Sequence, residues 1–392
     1  MTRPTQTTRT EETSGTVPET DSDSFAIVKN AGSSYFSAVD PADREEIARL
    51  GDGSYPHTAV FHPDGRHAIL LYISSSHLEV VDLERLETVQ RIDDLGVATV
   101  GSALTRDGKR LFVGTAAELP DDPEPGVVAL RVVGADGDEG DAGDSSIRLE
   151  RIGTQPIGRC AGMCIGPNGL VYVADKKAGE LVALSPTAEL SELERYHVGS
   201  EPHDIYPVPG TDLIAVNNAG ESFTTFVDAA EGAVRGAAPT GENPHGITFA
   251  DGPGGKRAYV PARDDERVAA IDIGAVTAGD DDPTTFVDVE TTTGFAATAA
   301  DDRYVLVDSY DEPRVTIVDA ETLSVAGHVT VDGEPLHLVV GDDGSECYVG
   351  NMDRPSVTVL DLEPLRADRP DEVTVVDRID GLGEMPSGIF QP

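Results

Sequence analysis

The sequence predicts an all-β fold, an eight-bladed β-propeller in which one blade is closed by strands from both chain ends. Three observations carry that expectation. A β-rich unit of four short strands recurs eight times at a spacing of roughly 40 to 50 residues, the period of propeller arrays. Turn residues separate every pair of strands, as an antiparallel meander requires. The last copy of the unit is a lone strand, Pro386-Ser387-Gly388-Ile389-Phe390, whose missing partners lie at the other end of the chain.

The most regular strand of each unit covers 25–29, 67–72, 110–115, 170–175, 213–218, 257–262, 304–309 and 346–351. A second strand follows each one, usually ending in Asp: YFSAVD, LEVVDL, VVALRV, ELVALS, FTTFVD, RVAAIDI, RVTIVDA and SVTVLDL. A third strand comes next, as in TVQRID and SVAGHVTV. The remaining strand precedes each run, begins near Pro or Gly and ends in a turn such as HPDG or RDG, which aligns Asp64 with Asp107, Asn168, Asp301 and Asp343. Pairing 386–390 with 25–51 removes the open sheet edge that an unclosed array would expose. Residues 25–392 are therefore expected to form one propeller, preceded by a disordered, acidic and polar tail at 1–24. The stretches 134–146, 278–283 and 365–371 have the composition of acidic surface loops.

Against 71 Asp and Glu stand only 29 Lys and Arg, a formal net charge of −42. Dispersed charge of this size is expected of a protein adapted to concentrated salt, which screens the mutual repulsion. The same charge repels phosphate backbones and anionic lipid, so neither nucleic acid nor a membrane is an expected partner. The first 24 residues lack the apolar core of a signal peptide, and no apolar run is long enough to span a bilayer. Three cysteines form no even disulfide framework. A cytoplasmic location is the expectation.

First strands of propeller blades line the central channel, so equivalent positions on them form a ring. Counting back from the shared turn gives His57, Val100, Ala161, His203, His245, Gly294, Leu336 and Ser387. Three of the nine histidines thus share one ring position. Blades one and five are opposite and blade four adjoins blade five, so His57 faces the neighbouring pair His203 and His245. Imidazole ligates metals and transfers protons near neutral pH, and this arrangement suits a flat ligand held between two walls. Equally, Pro-His is a tolerated way to begin such a strand, with the rings simply solvated. His337 lies one position past the ring, where strand alternation turns it away from the channel. Asp204 either orients His203 or adds to the acid-rich surface. Cys160 and Cys164, roughly 13 Å apart along an extended strand, are expected to be buried packing residues rather than a disulfide or a shared metal site.

The chain resembles the d1-haem propeller family, which includes the d1 domain of cytochrome cd1 nitrite reductase and propeller proteins of haem d1 biosynthesis, within the wider class of YVTN-type repeats. The resemblance runs from SFAIVKNAGSSYFSAVD through SYPHTAVFHPDGRHAILLYISSSHLEVVDL and GRCAGMCIGPNGLVYVADKKAGELVALS, then the blades opened by EPHD and NPHG, to MPSGIF. His57 opens the first complete blade, and His203 and His245 follow at 146 and then 42 residues, much as in that family. The resemblance implies that His57 is the axial iron ligand, that His203 and His245 are the distal pair acting on substrate, and that Arg159 pairs with a macrocycle carboxylate. Lys29, expected in a loop after the first strand, is similar in place to a second such cation. The implied cofactor is haem d1 or a related iron tetrapyrrole.

Departures from the family narrow that implication. There is no Cys-x-x-Cys-His for an attached c-type haem, and Val100 stands near the place of a family arginine. A role in haem d1-type biosynthesis or as a tetrapyrrole carrier fits better than self-sufficient nitrite reduction. A nitrite reductase-like enzyme with an external electron donor, and an interaction propeller without cofactor, stay open. A channel-metal hydrolase would need a carboxylate in the ring, and none of the eight positions supplies one. Expected partners are the tetrapyrrole itself and, as open alternatives, a second copy of the chain or tetrapyrrole-modifying enzymes.

Overall fold

The computed structural model describes residues 25–134, 146–252 and 254–391. The tail at 1–24 and nearly all of the 134–146 insertion lie outside them. Eight four-stranded antiparallel sheets are arranged in sequence order. The seven contiguous blades span 56–92, 97–156, 160–197, 202–239, 248–288, 296–330 and 335–380. The eighth combines the C-terminal strand Pro386–Phe390 with Ala26–Asn30, Phe36–Asp40 and Glu45–Leu50. Its seam pairs Ile27 with Phe390, Val28 with Ile389 and Lys29 with Gly388.

The sequence pattern explains the layering. Middle strands are buried on both faces, as His67–Tyr72 and Leu78–Asp82 are along their whole length. Each sheet packs on two neighbours, so these strands read as nearly continuous apolar runs instead of alternating ones. Ile69, Leu71 and Val80 of blade 1 pack on Leu111, Val113 and Val128 of blade 2. Across the closing seam, Ala26, Val28 and Ile389 pack on Tyr348, Val357 and Val359 of blade 7. Outer strands face solvent and carry charge; Thr374–Asp380 is exposed at every residue but Ile379.

The recurring Asp at the end of the second strand closes the next turn. Asp40, Asp82, Asp228 and Asp319 each accept hydrogen bonds through Oδ1 from the amides two and three residues on, which holds the chain in a turn without further contacts. The aligned turn residues Asp64, Asp107, Asn168 and Asp343 likewise accept from the amide two residues later. Asp301 departs from the pattern and sits with Ala300 and Asp302 in a run of left-handed backbone. Two of the expected loop insertions border short helices. Ile273–Ala278 is capped by Asp272, which accepts from the Ala275 amide, and Glu363–Arg366 overlaps the other. Among the described residues no helix is long and apolar enough to cross a membrane.

Candidate functional site

First strands converge on the axis, where a cavity of about 340 Å³ is lined by residues from all eight blades. His57, Val100, Ala161, His203 and His245 line it, as the ring register predicts. Blades 6 to 8 depart from that register and contribute Phe295, His337 and Phe390 in place of Gly294, Leu336 and Ser387. A backbone irregularity causes the change at His337. The pairing of its strand shifts between Leu336 and Leu338, and His337 has φ 61°. One residue in left-handed backbone at a bulge reverses the alternation, so the side chain expected to turn outward points inward. In blade 6 the amides of Gly294 and Phe295 both donate to Asp308 Oδ1, at 2.7 and 2.9 Å, and the regular strand begins only at Ala296.

An arc of rings results. His203 and His245 have centroids 4.8 Å apart, His245 and Phe295 5.3 Å, and Phe295 and His337 4.1 Å. His57 sits on blade 1, half the ring away from His245. Its Nδ1 bonds the Thr58 hydroxyl at 2.9 Å. With Nδ1–H donating there, Nε2 keeps its lone pair, the state a metal ligand requires. Burial, helped by the positive charge of Lys29, pushes the His57 pKa down to about 3 and holds the ring neutral. Burial does the same to His245, to about 4, and to His337, to about 3.

Asp204 belongs to the site, not to the acidic surface. Its Oδ2 lies 3.1 Å from His245 Nδ1 and accepts from the Gly246 amide at 3.1 Å; its Oδ1 lies 3.2 Å from His203 Nδ1. Burial works against the charged carboxylate, but the nearby imidazoles of His245 and His203 and the Gly246 amide outweigh it and hold the group below the usual carboxylate range. Gly246 reaches Asp204 because its φ of 59° suits glycine. Asn217 braces the turn by donating to the Gly246 carbonyl at 2.8 Å, while its own carbonyl accepts from Thr224.

Cations rim the cavity. Lys29 is within the strand Ala26–Asn30, not in a loop after it. Its stem lies over Gly388, where an added Cβ would come within 2.6 Å of Lys29 Cε. Burial, with the charge of Arg263, lowers its pKa to about 8. Arg159 lines the cavity just before the strand Cys160–Ile165 and also lines a groove of about 530 Å³ with Lys176, Lys177 and His197. Neither Lys29 nor Arg159 has an ion-pair partner among the described residues, whereas Lys176 pairs with Glu201 at 3.3 Å. Arg263 stacks over the Tyr310 ring at 5.5 Å, and its Nε is buried without a hydrogen bond, as are Tyr310 Oη, His337 Nδ1 and His203 Nδ1. Cys160, Cys164 and Cys347 are free and buried; the Cys160 thiol donates to the Gly126 carbonyl at 3.2 Å.

All five site residues expected from the sequence, His57, His203, His245, Arg159 and Lys29, therefore border one cavity. Phe295, His337, Asp308 and Arg263 were not legible. Their positions follow from backbone irregularities and from loop packing, which strand periodicity does not encode. Asp204 carried one usable signal: it is the acid between two Pro-His strand starts.

No family model matches the chain, and no curated protein matches it. Solved structures match widely. The dihydro-heme d1 dehydrogenase NirN in complex with DHE superposes with a TM-score of 0.75 at 20% identity, covering 95% of this chain and 76% of that one. The periplasmic gluconolactonase PpgL of Pseudomonas aeruginosa gives 0.57 at 15% identity, with 93% and 98% covered. Hydrazine synthase of Kuenenia stuttgartiensis gives 0.52 at 17%, with 78% and 95% covered. The chain is thus an eight-bladed β-propeller with the fold found in a dehydrogenase of dihydro-haem d1.

Proposed function

We propose that the axial cavity binds a modified tetrapyrrole, haem d1 or a siroheme-derived precursor, and that the protein acts in haem d1-type biosynthesis or as a carrier. The observation that carries this reading is the opposition of a neutral, half-buried His57 to the arc His203, His245, Phe295 and His337 within a single cavity. The residues fit such a group. At about 340 Å³ the cavity lies at the small end of ligand sites, roughly 300–1,000 Å³. It shares Arg159 and Lys176 with the adjoining groove, into which the carboxylate arms of a disc would extend. His337 Nδ1 is buried without a partner in a side chain that lines the cavity, so it can take a hydrogen-bonding group from a ligand.

His57 would hold the iron through Nε2, and Lys29 and Arg159 would pair with carboxylates. Arg159 can do so through two parallel hydrogen bonds. His203 and His245 on the other wall would accept or donate a proton at Nε2, with Asp204 fixing their ring orientation. When bound, the iron tetrapyrrole supplies the electrophilic and redox-active centre that the side chains lack. The fold likeness to the NirN complex supports the same ligand class.

Titration of the protein, in molar salt, with siroheme or a d1-type tetrapyrrole tests the proposal. A stoichiometric shift of the absorption bands is expected, and His57→Ala should abolish it. No shift, or an equal shift in the variant, would overturn it.

A further inference from the structure

We infer that His203, Asp204 and His245 form a divalent metal-ion site in the cavity wall, independent of any macrocycle. One donor atom from each of the three lies within 4.8 Å of the others, and the cluster holds no fourth such side chain among the described residues. Two imidazoles and one carboxylate with an open side is the donor set of zinc hydrolases and of non-haem iron centres.

The donor atoms lie up to 4.8 Å apart, somewhat wider than a bound ion would leave them, so one ring has to turn for the set to close. Donors about 2.0–2.2 Å from a tetrahedral Zn²⁺ lie roughly 3.3 Å from one another. Asp204 Oδ1 to His203 Nδ1 is 3.2 Å, and Asp204 Oδ2 to His245 Nδ1 is 3.1 Å. A second observation points to an absent partner: His203 Nδ1 is buried yet makes no hydrogen bond, although it lies 3.2 Å from Asp204 Oδ1. Part of the His203 side chain is exposed to the cavity, 35% of it, so the ring can turn to close the ligand set. His245 is fixed more tightly, being 8% exposed and stacked on Phe295 at 5.3 Å.

Two of the three donors are imidazole nitrogens, the ligand type that suits zinc and iron. The positive groups within electrostatic reach are Lys29, Arg263 and Lys176. Lys176 is paired with Glu201. The ion is therefore expected to be one that imidazole favours, Zn²⁺ or Fe²⁺, over Mg²⁺ or Ca²⁺.

The site requires no tetrapyrrole, and although the two readings share His203 and His245 their tests are distinct: the tetrapyrrole reading fails on the absorption titration and His57→Ala, the metal site on Zn²⁺ binding and Asp204→Asn. The test is calorimetric titration of the chelator-treated full chain with Zn²⁺ in molar NaCl, with Co²⁺ absorption as a geometric probe. One ion per chain is expected, with visible bands of a four- or five-coordinate Co²⁺ centre. Asp204→Asn and His245→Ala should each weaken binding by about 100-fold or more, with circular dichroism reporting that both remain folded. Replacing the exposed run Asp280, Asp281 and Asp282 by Asn should leave it unchanged. Absence of stoichiometric binding, or binding equal in Asp204→Asn, would overturn the site and assign any residual metal to surface carboxylates.

Discussion

Asp308 of blade 6 accepts a hydrogen bond from the His337 amide of blade 7 at 3.2 Å, and so holds the bulge that turns His337 into the cavity. The other oxygen accepts from Gly294 and Phe295, so one fully buried carboxylate positions two of the four rings in the arc. Asp308→Ala should strand three backbone amides. Each unsatisfied buried group costs about 1–3 kcal/mol, and a loss of at least about 3 kcal/mol is expected by urea unfolding. Asp308→Asn, which keeps one carbonyl acceptor, should fall between. Wild-type stability in the alanine variant would show that the carboxylate is not what holds the bulge.

Acid should destabilise the propeller through its cavity histidines. His57, His245 and His337 have folded-state pKa values of about 3, 4 and 3, below the ordinary value of 6.5. Between these limits the unfolded chain binds more protons, so the histidine contribution falls as pH drops from about 6.5 and levels off below about 3. The His245 share is about 3 kcal/mol once pH has fallen below 4. Asp308 works in the opposite sense. Burial raises its pKa to about 6 from 3.8, so its contribution is fully present below 3.8 and is lost as pH rises through 6. Three histidines outweigh one carboxyl. Denaturation at a series of pH values should give His245→Gln a shallower acid slope than wild type; identical slopes would contradict this account.

The chain-end seam predicts a truncation phenotype. Removing 386–392 deletes the inner strand of the eighth blade and exposes the edge of Ala26–Asn30. Burying Ile389 alone is worth about 2 kcal/mol, so a loss of at least about 3 kcal/mol is expected, with a broader thermal transition. A melting curve matching that of the full chain would show that the seam does not secure the ring.

The charge balance of −42 predicts salt dependence. Raising NaCl from about 0.1 to 3 M shortens the screening length from roughly 10 Å to below 3 Å. The thermal midpoint should rise across that range, and a flat response would remove the high-salt interpretation of the composition.

How much was legible differs by element. Eight repeats and the orphan strand 386–390 required a closed ring, because period-2 patterning and turn residues act locally and leave a mark in every copy. His57, His203 and His245 were recognisable because each directly follows a proline at the opening of its blade, even though strand pairing also shifts beside His57 and His203. His337 was not, since a single left-handed residue reverses side-chain direction while leaving the local composition unchanged. The strand range 25–29 already reached Lys29, but that its side chain lies over Gly388 depends on the closing strand 386–390, which is distant in sequence.

By itself, the sequence determined the number of blades, the pairing of the two chain ends and which three imidazoles share a register. Only the tertiary structure decided that Asp204 stands between two of them, that Phe295 and His337 extend the wall, and that Arg263 and Asp308 support it. The division has one physical cause. Strand periodicity and turn chemistry are set by neighbours along the chain, whereas the direction of a side chain at a bulge and the charge state of a buried group depend on residues that folding brings from other blades.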